Sequence, residues 1–117
     1  MSMPNWIRNF YVGSQIREPQ KIKKKIDQGK PVVGIYLITL SDNPGNLLDI
    51  IPAALLLQKS YARLCPPIIG MEKGKEAAIE AAAAMVTEVY EATGDFRVKE
   101  YWMRASGHAR KALTAEK

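Results

Sequence analysis

The chain has 117 residues, 47% of them hydrophobic and 25% charged. That is the size and composition of one ordinary folded domain, able to bury a core without disulfides or metals, and it excludes wholesale disorder. The net charge of +5 is uneven, at +5 over residues 1–30, −4 over 31–96 and +4 over 97–117; the basic ends either neutralise the acidic middle, within or between subunits, or form a footprint for a polyanion.

The longest apolar run, residues 50–57, falls far short of the roughly 20 residues that a membrane helix needs, so no membrane partner is expected. Residues 1–6 carry no charged region followed by an apolar core, so a secretory signal is not expected and the cytoplasm is the expected location. The one cysteine, Cys65, lies between Leu64 and Pro66 and reads as a small buried apolar residue. Alone it builds neither an internal disulfide nor a zinc site. The one histidine, His108, sits in a polar tail and reads as solvated.

In chain order, residues 6–12 are aromatic and β-branched, end at Gly13-Ser14, and predict a strand. Residues 18–28 predict a short surface helix, with Pro19 at its first position and Gly29 just past its end. Ile22 and Ile26 give it one narrow apolar seam, and lysines cover the rest. Residues 32–40 are apolar on both faces and predict a central strand. The turn signal Ser41-Asp42-Asn43-Pro44-Gly45 follows.

Residues 46–62 predict a helix kinked or restarted at Pro52. Within it, Ala53, Ala54, Leu55, Leu56 and Leu57 would cover every side of a helix. A helix apolar all round must be buried all round, so this stretch is the candidate interface of a homo-oligomer. Residues 67–71 predict a strand leading through Lys73-Gly74 into an alanine-rich helix over 75–92. Ile79, Ala82, Ala83, Val86, Val89 and Tyr90 would face inward there, and Glu76, Glu80, Thr87, Glu88 and Glu91 outward. Glu88 and Glu91 oppose the helix dipole, which points to Arg97 or Lys99 as compensation. Residues 96–102 alternate and predict an edge strand. The expectation is one small layered α/β (or α+β) domain over residues 1–103, about four strands alternating with three helices, and a polar basic tail over 104–117.

Three constellations are candidates for function. Gly70, Lys73, Gly74 and Lys75 lie at a strand-to-helix junction, where free backbone N–H groups attract anions. The spacing departs from the phosphate-loop pattern, because three residues separate the glycines and Glu76 stands where Ser or Thr is required. The bland reading is a tight turn that caps the helix. If the strands ran parallel, this junction would share a strand-end crevice with Asp42 and Asn43, where Asp42 could serve as base or metal ligand; the competing reading of Asp42-Asn43 is a plain turn. Arg17, Lys21, Lys23, Lys24 and Lys25, with Trp6, Phe10 and Tyr11 nearby, mix charge with stacking groups as nucleic-acid surfaces do, although surface lysines are commonplace.

Metal-ligand spacing, a nucleophile–histidine pair and a cofactor fingerprint are absent from the sequence, so no cofactor is expected. The reading these features support is a homo-oligomeric binding module without catalysis. The alternatives are a protein or enzyme that takes a small phosphate or carboxylate ligand in the strand-end crevice, and a nucleic-acid accessory protein.

Overall fold

Four short apolar runs pair into a mixed sheet of order β1-β4-β2-β3. The computed structural model describes residues 5–41 and 47–104. Strand β1 is Trp6–Val12, β2 is Ile35–Leu40, β3 is Leu48–Pro52 and β4 is Ile68–Lys73. Helix α1 is Pro19–Asp27, α2 is Lys59–Leu64, α3 is Lys75–Thr93 and α4 is Val98–Arg104; a 3-10 helix, Ala53–Leu57, joins β3 to α2. The result is a small α+β domain.

Strands β1 and β4 are parallel, whereas β2 is antiparallel to both β4 and β3. Strand β2 is therefore central, as its two apolar faces require. Ile35 and Leu37 enter a core beneath α1, the 3-10 helix and α2; Ile38 and Leu40 enter a second core beneath α3 and α4. A bulge in β4 lets it serve both cores. The register steps from Ile38↔Gly70 to Thr39↔Ile68, and the extra residue, Ile69, joins the α3 side while Ile68 joins the α1 side. Strand β1 pairs with β4 at its two ends only, Trp6↔Ile68 and Tyr11↔Gly70, and Asn9 between them takes a left-handed φ of 61°. Asparagine is among the residues that tolerate this conformation best.

Two segments differ from the sequence reading. The stretch before Pro52 is not helical, whereas a helix does start afresh just after it, as the 3-10 turn Ala53–Leu57 followed by α2. Leu48–Pro52 lies beside β2, with Leu40 opposite Leu48 and Tyr36 opposite Pro52. The reason is that β-branched Ile50 and Ile51 suit a strand, and β3 is an edge, where a proline without a donor is tolerated. Pro52 holds an extended φ/ψ of −69°/139°.

Residues 96–102 do not form an edge strand but the helix α4. Val98, Tyr101 and Trp102 recur at helical spacing. Val98 and Trp102 are buried in the α3-side core, while Phe96 is half exposed. The turn before α4 is set by Asp95, whose carboxylate accepts from the Arg97 N–H at 3.2 Å and from the Thr93 hydroxyl at 2.9 Å. Those two bonds, with the Arg97 charge, hold the Asp95 carboxyl below its ordinary pKa.

Candidate anion-binding cleft

Where β1 ends, the backbone turns sharply. Gly13 extends the ladder by donating to Met71 O at 2.9 Å, and Ile16 N–H closes a turn onto Gly13 O at 3.1 Å. Glycine is required at residue 13 because a Cβ there would run into the Glu72 carboxylate. Glu72 is buried, accepts the Tyr11 hydroxyl at 2.7 Å, and accepts the Lys73 N–H at 3.3 Å. Burial first, then the bond to Glu72, push the Tyr11 phenol up to about 12. Gly70 lies opposite Tyr11, and a Cβ there would press on the Tyr11 side chain at 3.2 Å.

Beyond this turn a cleft of about 790 Å³ opens between the end of β1, α1, the segment entering β2, and the end of β4. Ser14, Gln15, Ile16 and Arg17 line one side, Ile22 and Lys25 come from α1, Pro31, Val32, Val33 and Ile35 form the opposite wall, and Lys73 closes the end. The volume is in the range of sites for small organic ligands, roughly 300–1,000 Å³. Its lining joins an apolar wall to Ser14, Gln15 and three cations, and includes no acidic residue. Among the described residues, Arg17, Lys25 and Lys73 form no ion pair. Cations gathered at an apolar wall with no internal counter-charge favour an anion carried on an apolar body.

The cleft sits at the carboxyl ends of the parallel pair, β1 and β4, the place where open sheets commonly take ligands. It is not the crevice expected from sequence. Because β2 runs antiparallel to β4, Ile35 pairs with Lys73 while Thr39 pairs with Ile68. The carboxyl end of β2 thus lies at the opposite end of the sheet from Lys73, Gly74 and Lys75. Asp42 and Asn43 fall outside the described residues.

Of the junction residues, Lys73 alone lines the cleft. Gly70 is buried in mid-strand. Gly74 precedes α3 with φ 94° and donates to Gly34 O at 2.8 Å, and Lys75 is exposed on the first turn of α3.

The basic set also divides. Arg17 and Lys25 line the cleft, and Lys24 is exposed beside them. Lys21 pairs with Glu18 at 3.6 Å. Lys23 is drawn inward, to Asp27 at 2.9 Å and over the Trp6 ring at 5.4 Å. Trp6 donates to the same Asp27 carboxylate at 2.7 Å and packs on Phe10, with ring centroids 4.9 Å apart. These aromatic rings pin α1 to the sheet.

Within the oligomer candidate, Ala53 and Leu56 are buried in the subunit's own core, Leu55 is half-buried, and Ala54 and Leu57 are exposed. The segment is a 3-10 turn, not an α-helix apolar on every side, so its burial needs no second subunit.

Cys65 is buried as expected, and burial pushes its thiol up to about 11. No family model, curated sequence or solved structure matches the chain. Among the described residues no group of three or more His, Cys, Asp or Glu could hold a metal ion, and no helix is long and apolar enough to cross a membrane.

The cleft walls at Val32 and Val33 were missed because both residues read as strand. The convergence of Arg17, Lys25 and Lys73 has no local signal, since it depends on β1 pairing with β4.

Proposed function

We propose that this protein is a small-ligand binding module that takes an organic anion, a carboxylate or phosphate on an apolar body, without transforming it. The observation that carries this reading is the meeting of Arg17, Lys25 and Lys73 around the apolar wall of Ile16, Ile22, Val32 and Ile35. A guanidinium offers planar paired donors to an oxyanion, and two ammonium groups add point charge. No histidine, cysteine or carboxylate lines the cleft, which supports binding over chemistry. The buried thiol of Cys65 suits a reducing compartment, so the cytoplasm is our inferred location.

The test is a set of thermal melts with hexyl phosphate and hexanoate, against inorganic phosphate and hexanol as the separated halves. A ligand at 100 times its Kd stabilises by about 2.7 kcal/mol, a rise of several degrees in Tm for a domain of this size. The amphipathic anions are expected to raise Tm more than either half, and the double variant Arg17→Ala/Lys73→Ala to lose the rise. If no anion shifts Tm, or the double variant responds like wild type, the reading fails. A response to oligonucleotides alone, reduced by Lys24→Ala, would transfer the site to nucleic acid.

A further inference from the structure

The sheet parts the charges of the chain. On one face, helix α3 buries Ala78, Ala81, Ala82, Met85 and Val89, leaves Ile79 and Tyr90 half exposed, and carries Glu80, Glu88 and Glu91. The sequence pattern placed Ile79 and Tyr90 inward; the structure turns them outward. On the other face lies the cleft, with Arg17, Lys25 and Lys73 and no acidic residue. The acids nearest to it in sequence are engaged elsewhere, Glu18 with Lys21 at 3.6 Å and Asp27 with Lys23 at 2.9 Å. The three cations come from three elements fixed to one another. The Gly13 N–H bonded to Met71 O holds the turn that leads to Arg17 against the end of β4 that carries Lys73. Lys25 follows Ile22 by three residues on α1, so its ammonium and the apolar side chain share one helix face.

Given the cleft as an organic-anion site, on which this rests, we propose that its ligand is a phosphate monoester bound as the dianion, with the apolar body on the ester oxygen. A carboxylate has two oxygens and one charge. The planar fork of one guanidinium engages both oxygens and balances that charge, leaving two ammonium groups uncompensated beside an apolar wall. A phosphate monoester offers three oxygens and nearly two charges, so the fork and both point charges find an oxygen. The exposed Ser14 and Gln15 side chains add neutral donors on the same side. The charge state of such a ligand can be read by pH, because the cleft itself does not titrate near neutrality. The turn after β1 supplies Arg17, α1 supplies Lys25, β4 supplies Lys73, and the wall of Pro31, Val32, Val33 and Ile35 supplies no titratable group. Between about pH 5 and 7.5 arginine and lysine keep their charge, and the side chain that ordinarily changes charge is histidine. The chain's one histidine, His108, lies outside the described residues. A phosphate monoester, in contrast, loses its second proton at about pH 6.

Calorimetric titration of the full chain with hexyl phosphate, hexyl sulfate and hexanoate, at pH 5 and at pH 7.5, tests this. Hexyl sulfate keeps the body and the three oxygens but holds one charge at both pH values. Hexyl phosphate passes from mostly monoanion to almost wholly dianion, so its Kd is expected to tighten about tenfold. Hexyl sulfate and hexanoate are expected to change by less than about twofold. At pH 7.5 hexyl phosphate is expected to bind at least about tenfold more tightly than hexyl sulfate. The pH step is expected to persist in His108→Gln and to be largely lost in Lys25→Gln/Lys73→Gln, a double variant of two exposed residues that retains the Arg17 fork for hexanoate. Equal binding of the three ligands at both pH values overturns the proposal and leaves the organic-anion reading standing. A pH step that disappears in His108→Gln overturns it as well. If none of the three binds, the organic-anion reading itself has failed. Vesicles of phosphatidylcholine with and without phosphatidic acid, whose headgroup is also a phosphate monoester, separate two sources of the same chemistry. Pelleting with phosphatidic acid alone assigns the ester to a membrane lipid; no pelleting, alongside the hexyl phosphate step, assigns it to a free ester.

Discussion

Tyr11, Gly13, Gly70 and Glu72 form a set of mutual constraints at the junction of β1 and β4. Each glycine leaves the space that the other pair's side chains occupy, and the phenol supplies the donor that a buried carboxylate needs. Burial first, and then the bond to Glu72, raise the pKa of Tyr11, and the sign can be followed in stability. The unfolded chain loses the phenol proton near its ordinary value of 10.0, while the folded chain holds it to about 12. Between those values the folded state binds more protons, so stability falls as pH rises. The contribution is complete below pH 10 and is lost on passing through about 12. Urea denaturation midpoints are expected to decline from pH 10 upward in wild type. Tyr11→Phe should start lower, by about 1 kcal/mol for the missing hydrogen bond, and decline less steeply over the same interval. Parallel declines in the two proteins would remove Tyr11 from the account. Cys65 adds a similar alkaline loss from 9.0 to about 11, and the comparison holds it constant.

At the scale of elements, α4 shows why a period must be read with its neighbours. Phe96, Val98, Glu100 and Trp102 alternate, and so do many short helices read through a window of seven residues. The decision comes from burial. A strand would put Phe96 and Trp102 on one buried face, whereas the helix buries Trp102 and leaves Phe96 half exposed. Trp102→Ala is therefore expected to cost about 3–5 kcal/mol, and Phe96→Ala under about 1 kcal/mol. Equal losses in equilibrium unfolding would favour the strand. The same ambiguity decided β3, because an apolar run of five residues fits either element and only its partner, β2, selects the strand. By contrast β1, α1, β2, β4 and α3 were legible, since each is punctuated by Gly or Pro or carries a long apolar repeat. The inner face of α3 was misjudged because hydrophobicity ranks Ile79 and Tyr90 above alanine, whereas close packing on a sheet selects the small residues. Nor was the cleft legible. Its cations lie at residues 17, 25 and 73, and only the parallel pairing of the first and last strands brings them together.

In the whole molecule, the sheet separates two surfaces. Ile35 and Lys73 are paired neighbours that both line the cleft, on the side of α1. The exposed face of α3 lies beyond the other core, which holds Ile38, Leu40 and Ile69 between the sheet and the helix. No residue of α3 lines the cleft. Coupling between two sites requires a change at one that distinguishes two states of the other. Hexyl phosphate is thus expected to bind wild type and Ala83→Arg, a change on the exposed face of α3, with the same Kd, which calorimetric titrations at equal protein concentration can compare. A difference of tenfold or more would mean about 1.4 kcal/mol of coupling. The route for it would have to run through β4, the strand that carries Lys73 to the cleft and leads directly into α3.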